Sequence, residues 1–143
     1  MMLVNEIKID RDGNWYADGM KMERKEIVNL FSTHLWRNGE NQYFICLNQQ
    51  VFPIVVEDTP FIINEVIEEE GKLKVRLNDE RVLDLSDHPI VVIKSIPYTS
   101  LFWERDAKFA RHAFWQLSKY IVETDQGYLV KFGDTQIKLI FQQ

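Results

Sequence analysis

Short apolar–polar alternations closed by turn residues run through most of this chain, and only two stretches break into helical spacing. Side chains on a strand alternate between faces, whereas a helix returns a residue to the same face every three or four positions. A chain written this way predicts an α+β fold with mostly antiparallel sheets and two helices. Ile7 and Ile9 share one face before Asp12-Gly13, and Trp15 and Ala17 alternate after it. Asp-Gly between alternating runs is a strong hairpin signal, because glycine accepts positive φ without a Cβ clash.

"QYFICLNQQVFPIVVED" reads as two strands joined at Asn48-Gln49. Pro53 has no N–H for a ladder, so its strand is expected at an edge or a bulge. The meander continues through "FIINEVIEEEGKLKVRLNDERVLDL", with Leu73, Val75 and Leu77 on one face and Lys72, Lys74 and Arg76 on the other. Glu68-Glu69-Glu70-Gly71 is a solvated turn. "DHPIVVIKSIPYTSLFW" supplies two more strands, and the chain closes with a hairpin about Gly133-Asp134.

Ile27, Leu30, Phe31 and Leu35 fall on one helical stripe, with Asn38-Gly39 as its stop. Trp36 lies beside that stripe, not on it, and is a candidate docking residue. A second helix is predicted over "DAKFARHAFWQLSKYIVE", with Asp106 as N-cap. Its apolar face is Phe109, Ala110, Ala113, Phe114, Leu117, Tyr120 and Ile121.

The elements recur in order. Residues 14–17, 24–36, 43–47 and 51–57 read strand, helix, hairpin, and residues 98–103, 107–122, 127–132 and 135–141 read the same. The expected architecture is an internally duplicated strand–helix–hairpin unit. It divides into an N-terminal half, 1–86, and a C-terminal half, 87–143, packed as one compact body.

Composition narrows the function classes. The 143 residues carry a net charge of −5 and no basic stripe, which disfavours nucleic acid as a partner. The charge is uneven: residues 1–86 hold 10 Lys and Arg against 16 Asp and Glu, while residues 87–143 hold 7 against 6. No apolar run reaches the ~20 residues of a membrane span. The start, "MMLVNEIKID", lacks the basic and apolar regions of a signal peptide, so the expected location is cytoplasmic. Cys46 is the only cysteine, which excludes an intrachain disulfide; its apolar surroundings predict a buried, inert thiol.

Candidate chemistry is sparse. Glu57 and Asp58 interrupt the apolar run "VVEDTPFIINEV", but adjacent strand residues point to opposite faces and do not flank one substrate. Asp58-Thr59-Pro60 is turn chemistry, and the stretch reads as a corner between two strands. "DRDGN" misses calcium-loop spacing, since an EF-hand wants glycine sixth and glutamate twelfth. Ser86, Asp87 and His88 are consecutive, which a catalytic triad cannot be. His34 and His112 have no partner at metal-ligand spacing, so no metal or other cofactor is expected. The dense motifs of phosphate loops, dinucleotide sites, zinc proteases and nucleophile elbows are absent.

The stretch "IKIDRDGNWYADGMKMERKEIVNLF" followed by "VVEDTPF" resembles the bacterial domain of unknown function 1285. The matching residues are Asp12, Gly13, Trp15, Gly19, Arg24, Val28, Leu30, Phe31, Glu57, Asp58, Pro60 and Phe61. Asp87-His88-Pro89, Pro97-Tyr98 and the helix with Ala107, Arg111, Phe114 and Leu117 follow in the same order. The chain departs from the family pattern at "LNQQVF" and "DQGYLVKFG". The resemblance implies an α+β fold with internal duplication, a second half similar to pleckstrin-homology domains, and a ligand site between the halves with a signalling role. It implies no catalytic residue.

The primary expectation is therefore a small-ligand- or partner-binding module in signal transduction, leaning away from an enzyme. Its candidate surface at the junction of the halves is Trp15, Arg24, Asp58, Phe61, His88, Tyr98 and Arg111. Arg24 and Arg111 each stand near a helix start, where a cation is locally unfavourable. At least one of them is expected to be buried near the junction of the halves, against a carboxylate such as Asp58 or Asp87 or against a strand-end carbonyl. Two alternatives stand beside this reading. One is a hydrolase-like enzyme using Asp58, His88 or Arg111 in a cleft between the halves. The other is a structural protein that assembles through an apolar patch, for which a homodimer is an option.

Overall fold

A computed structural model describes residues 4–85 and 87–142 as two compact units, Met1–Pro60 and Phe61–Gln143. The division falls at Pro60, ahead of the boundary after Ser86 that the sequence suggests. The cause is pairing: the meander that follows Pro60 joins the sheet of the second unit. The α+β class is as expected.

The first unit contains β1 (Ile7–Ile9), β2 (Trp15–Ala17), β3 (Met20–Lys21), α1 (Lys25–Ser32), β4 (Leu35–Arg37), β5 (Tyr43–Leu47) and β6 (Gln50–Val56). Its strand order is β3-β2-β1-β6-β5-β4, antiparallel except where β6 runs parallel to β1. The Asp-Gly hairpin forms with Ile9 opposite Trp15, and Gly13 sits at φ 84°. Ile7, Ile9, Trp15, Leu35 and Ile45 are its buried apolar residues. Phe31 brings α1 onto Trp15, with ring centroids 6.3 Å apart. Asn48 and Gln49 both adopt positive φ, the geometry that closes a two-residue hairpin between β5 and β6. Pro53 precedes Val55 and Val56, where β6 gains its second neighbour, β1.

The second unit contains β7 (Phe61–Glu69), β8 (Lys72–Leu77), β9 (Val82–Asp84), β10 (Ile90–Ile93), β11 (Ile96–Thr99), β12 (Ala107–Phe109), α2 (Arg111–Ser118), β13 (Ile121–Thr124), β14 (Gly127–Phe132) and β15 (Thr135–Gln142). The strand order is β13-β14-β15-β10-β11-β12-β7-β8-β9. Leu73, Val75 and Leu77 face inward as their alternation predicts. Glu70 and Gly71 make the β7–β8 turn, both at positive φ. Val66 N–H donates to the Gln116 side chain at 2.7 Å, anchoring α2 to β7.

Both helices are shorter than their patterns suggest. Leu35 and Trp36 leave α1 and pair with β5, and Leu30 is exposed. Asn38 does not stop a helix; its side chain accepts the N–H groups of Glu40 and Gln42 in the β4–β5 loop. In the second unit Ala107–Phe109 forms a strand bonded to neighbours on both sides, β11 and β7. Two ladders outweigh the helical leaning of Ala-Lys-Phe, which local propensity cannot anticipate. Beyond Ser118, the β-branched run Ile121-Val122 pairs with β14 instead of extending the helix. Cys46 is half-buried rather than buried.

The first unit's order, β3-β2-β1-β6-β5-β4 about one helix, is matched in the second by β12-β11-β10-β15-β14-β13. In each, the last strand of the final hairpin, β6 or β15, runs parallel to the first strand, β1 or β10. The backbone bond from Cys46 N–H to the His34 carbonyl has its counterpart from Lys131 N–H to the Tyr120 carbonyl. Two features belong to the second unit alone. The meander β7-β8-β9 is added beside β12, and the two-residue turn Asp18-Gly19 between β2 and β3 is replaced by the loop Ser100–Asp106 between β11 and β12.

Candidate functional site

A cleft of about 440 Å³ opens beside that loop. Its floor is a cross-strand row: Tyr98 pairs with Val91, and Val91 with Ile140. Strand alternation places these three side chains on one face of the sheet. Phe102, Trp103 and Arg105 of the loop form a wall, and His88 stands two residues ahead of β10. The cleft thus combines π faces and an aliphatic floor with the Arg105 guanidinium, the His88 imidazole and the Glu104 carboxylate.

Asp106 holds the loop in shape. It is fully buried, and its carboxylate accepts the N–H groups of Leu101 at 2.7 Å, Phe102 at 2.9 Å and Trp103 at 3.0 Å. Burial pushes its carboxyl above the ordinary aspartate value, and the three donors oppose that push. The residue expected to cap a helix instead caps a loop, because Ala107 continues into β12. Arg105 takes positive φ, and its N–H donates to Ser100 Oγ at 2.8 Å.

Behind the wall lies an aromatic cluster. Phe61 and Phe102 are 5.4 Å apart between centroids, Phe61 and Trp103 6.5 Å, and Phe102 and Trp103 5.8 Å. The Arg81 guanidinium sits 5.0 Å from the Phe102 ring and 5.6 Å from that of Phe61. Asp79, whose side chain is 1% exposed, receives Arg81 Nη2 at 2.7 Å and Nε at 3.0 Å on one carboxylate oxygen. A buried carboxylate without such a donor set would carry a penalty of several kcal/mol.

Three of the seven sequence candidates gather here: His88 and Tyr98 line the cleft, and Phe61 anchors the cluster behind it. Arg111 lines a different concavity of the second unit, about 380 Å³ between α2 and the start of β11. The hydrolase-like reading needs His88 and Arg111 on one cleft, and they line two. The remaining three belong to the first unit. Trp15 is core, 2% exposed. Asp58 is half-buried in the bend after β6, so the corner expected of "VVEDTPFIINEV" is what forms. Glu57, its neighbour, is committed to the Lys8 ammonium at 2.9 Å and the Arg11 N–H at 3.0 Å.

The expectation of a buried arginine is overturned. The Arg24 side chain is 74% exposed and bonds Glu26 in the first turn of its own helix at 3.0 Å, while Arg111 is exposed. A first-turn acid at Glu26 answers the unfavourable cation locally, so no distant carboxylate is required. Arg81, Phe102, Trp103, Arg105 and Asp106 escaped sequence reasoning as a site. The signal that marks them is "SLFWERD", which stands where the first half has only a tight turn. Among the described residues, no three His, Cys, Asp or Glu side chains group as metal ligands would.

Residues 3–59 match the family model described as "Domain of unknown function (DUF1285), N-terminal domain". The chain is similar in fold to a DUF1285 family protein from Silicibacter pomeroyi DSS-3, with a TM-score of 0.70 and 19% identity over 94% of this chain and 79% of that one. It is also similar to a DUF1285 family protein from Shewanella baltica OS155, with a TM-score of 0.63 and 17% identity over 79% of this chain and 90% of that one. No curated protein matches the chain. At these identities the structural likeness establishes the fold and carries no activity.

Proposed function

We propose that this chain is a member of the DUF1285 family, whose N-terminal domain model its residues 3–59 match, and a small-molecule-binding module whose site is the cleft beside the Ser100–Asp106 loop. One observation carries the reading. The two units repeat a strand order, and the cleft lies where the second departs from it. A shared scaffold with one elaborated loop is how binding sites are commonly added to a rigid frame. The matching strand orders support internal duplication as the origin of that scaffold.

The lining favours a small organic anion with a flat or branched apolar body. The body lies on the Tyr98–Val91–Ile140 row against Trp103, and the anionic group faces His88 and Arg105. The volume is at the lower end of the ~300–1,000 Å³ usual for small-molecule pockets. An apolar floor rimmed by polar and charged side chains supports a binding role, which suits signal transduction. Among the described residues no helix is long and apolar enough to cross a membrane.

The test is a thermal-shift screen with aromatic and branched aliphatic carboxylates, nucleotides and lipid headgroups, followed by calorimetry on any hit. Binding should weaken at least tenfold in Trp103→Ala and in Arg105→Ala. A flat response across the panel, or a hit indifferent to both substitutions, overturns the reading.

A further inference from the structure

The two features that only the second unit possesses meet at Phe61, which packs on the Phe102 and Trp103 rings, and again at Arg81. The β8–β9 turn of the added meander supplies Arg81, and the inserted loop supplies Phe102. Arg81 is locked from its own side. Its N–H and guanidinium both bond Asp79, Leu77 N–H donates to its carbonyl at 2.9 Å, and Asn78 is tied to β7 through Ile62 in both directions. A guanidinium fixed in this way presents a flat cationic face in a set orientation. It lies within the ~6 Å at which ring quadrupoles attract a cation, and guanidinium is the preferred partner. The two rings it faces are unlike in setting. Phe61 is core, 1% exposed, and would stay in place without Arg81, whereas Phe102 is 45% exposed and sits on the loop.

We propose that Arg81 is a positioning residue of the binding cleft, orienting the loop wall through Phe102. The inference rests on the reading of that cleft as the site. Asp106 sets the loop's hydrogen bonds from within, and Arg81 sets the tilt of the wall from outside. Phe102 precedes Trp103 directly, so a shift of one ring moves the other across the cleft. The meander then has a purpose beyond widening the sheet, which is to carry Asp79 and Arg81 to the back of the wall.

Hydrogen exchange tests this without any ligand. In Arg81→Ala the amides of Leu101, Phe102 and Trp103 should exchange at least tenfold faster, while those of Val130 and Ile137 keep their wild-type rates. Arg81→Lys, which keeps the charge and loses the planar face, should fall between. Phe102→Leu in the wild-type background should reproduce the Arg81→Ala effect with the Asp79–Arg81 pair intact. Unchanged loop amides in Arg81→Ala overturn the proposal, as does an equal acceleration of loop and core, which would assign Arg81 to general stability. A failed ligand screen with a positive exchange result would remove the binding reading and leave the positioning role of Arg81 standing.

Discussion

Asp106 Oδ1 takes the Leu101 N–H at 2.7 Å, the shortest of three bonds by which a fully buried carboxylate closes the Ser100–Asp106 loop. Asp106→Ala leaves three backbone donors without that acceptor. Each buried unsatisfied group costs ~1–3 kcal/mol, and partial rehydration of the loop recovers some of it. The expected net loss is about 2–4 kcal/mol by denaturant unfolding. Asp106→Asn keeps one carbonyl oxygen and should lose less. Equal stability of Asp106→Ala and wild type would show that the loop does not depend on the carboxylate.

The Lys8–Glu57 pair predicts a pH window. The Lys8 ammonium, bonded to Glu57, holds that carboxyl below its ordinary 4.5, and Glu57 in turn raises Lys8 above 10.5. A depressed acid contributes stability that is present above its unfolded value and lost as pH falls through the folded one. A raised base contributes stability that is present below its unfolded value and lost as pH rises through the folded one. The melting-temperature difference between wild type and Glu57→Gln should therefore be level between about pH 5 and 10 and shrink outside that range. Salt should shrink it throughout, because the pair is solvent-accessible. A difference that grows toward acid would contradict the pairing.

Arg24→Ala and Arg111→Ala are expected to change stability by under about 0.5 kcal/mol each, the usual range for exposed side chains. Chemical denaturation of both variants checks this. A loss above ~2 kcal/mol in either would restore a buried pairing for that arginine.

Leu117 is fully buried on the inner face of α2. Leu117→Ala removes its packing and leaves a void, at a cost of about 2–5 kcal/mol. Trp115 lies on the opposite side of the same helix and is 71% exposed, so Trp115→Ala should be nearly neutral in stability. Parallel melts of the two variants separate the inner face from the outer one.

Alternation and turn chemistry determined most of the strand map in advance. Ile7 and Ile9, the Asp12-Gly13 turn, the Asn48-Gln49 hairpin and the Leu73–Val75–Leu77 face were all legible, because a period of two and a positive φ are local properties. The "VVEDTPF" corner was legible for the same reason. The ends of the helices were decided by the tertiary structure. Ala107–Phe109 and Ile121–Thr124 are strands because neighbouring ladders offered hydrogen bonds that a helix would have forfeited. The arginines' settings were not legible, because a charge's partner is chosen in space: Glu26 lies two residues from Arg24, and Asp79 two from Arg81, yet only Asp79 is buried. The cleft wall depends on a meander turn and an inserted loop some twenty residues apart meeting at Arg81 and Phe102. No periodicity encodes that meeting, since it arises where β12 pairs with β7 and brings the two segments side by side.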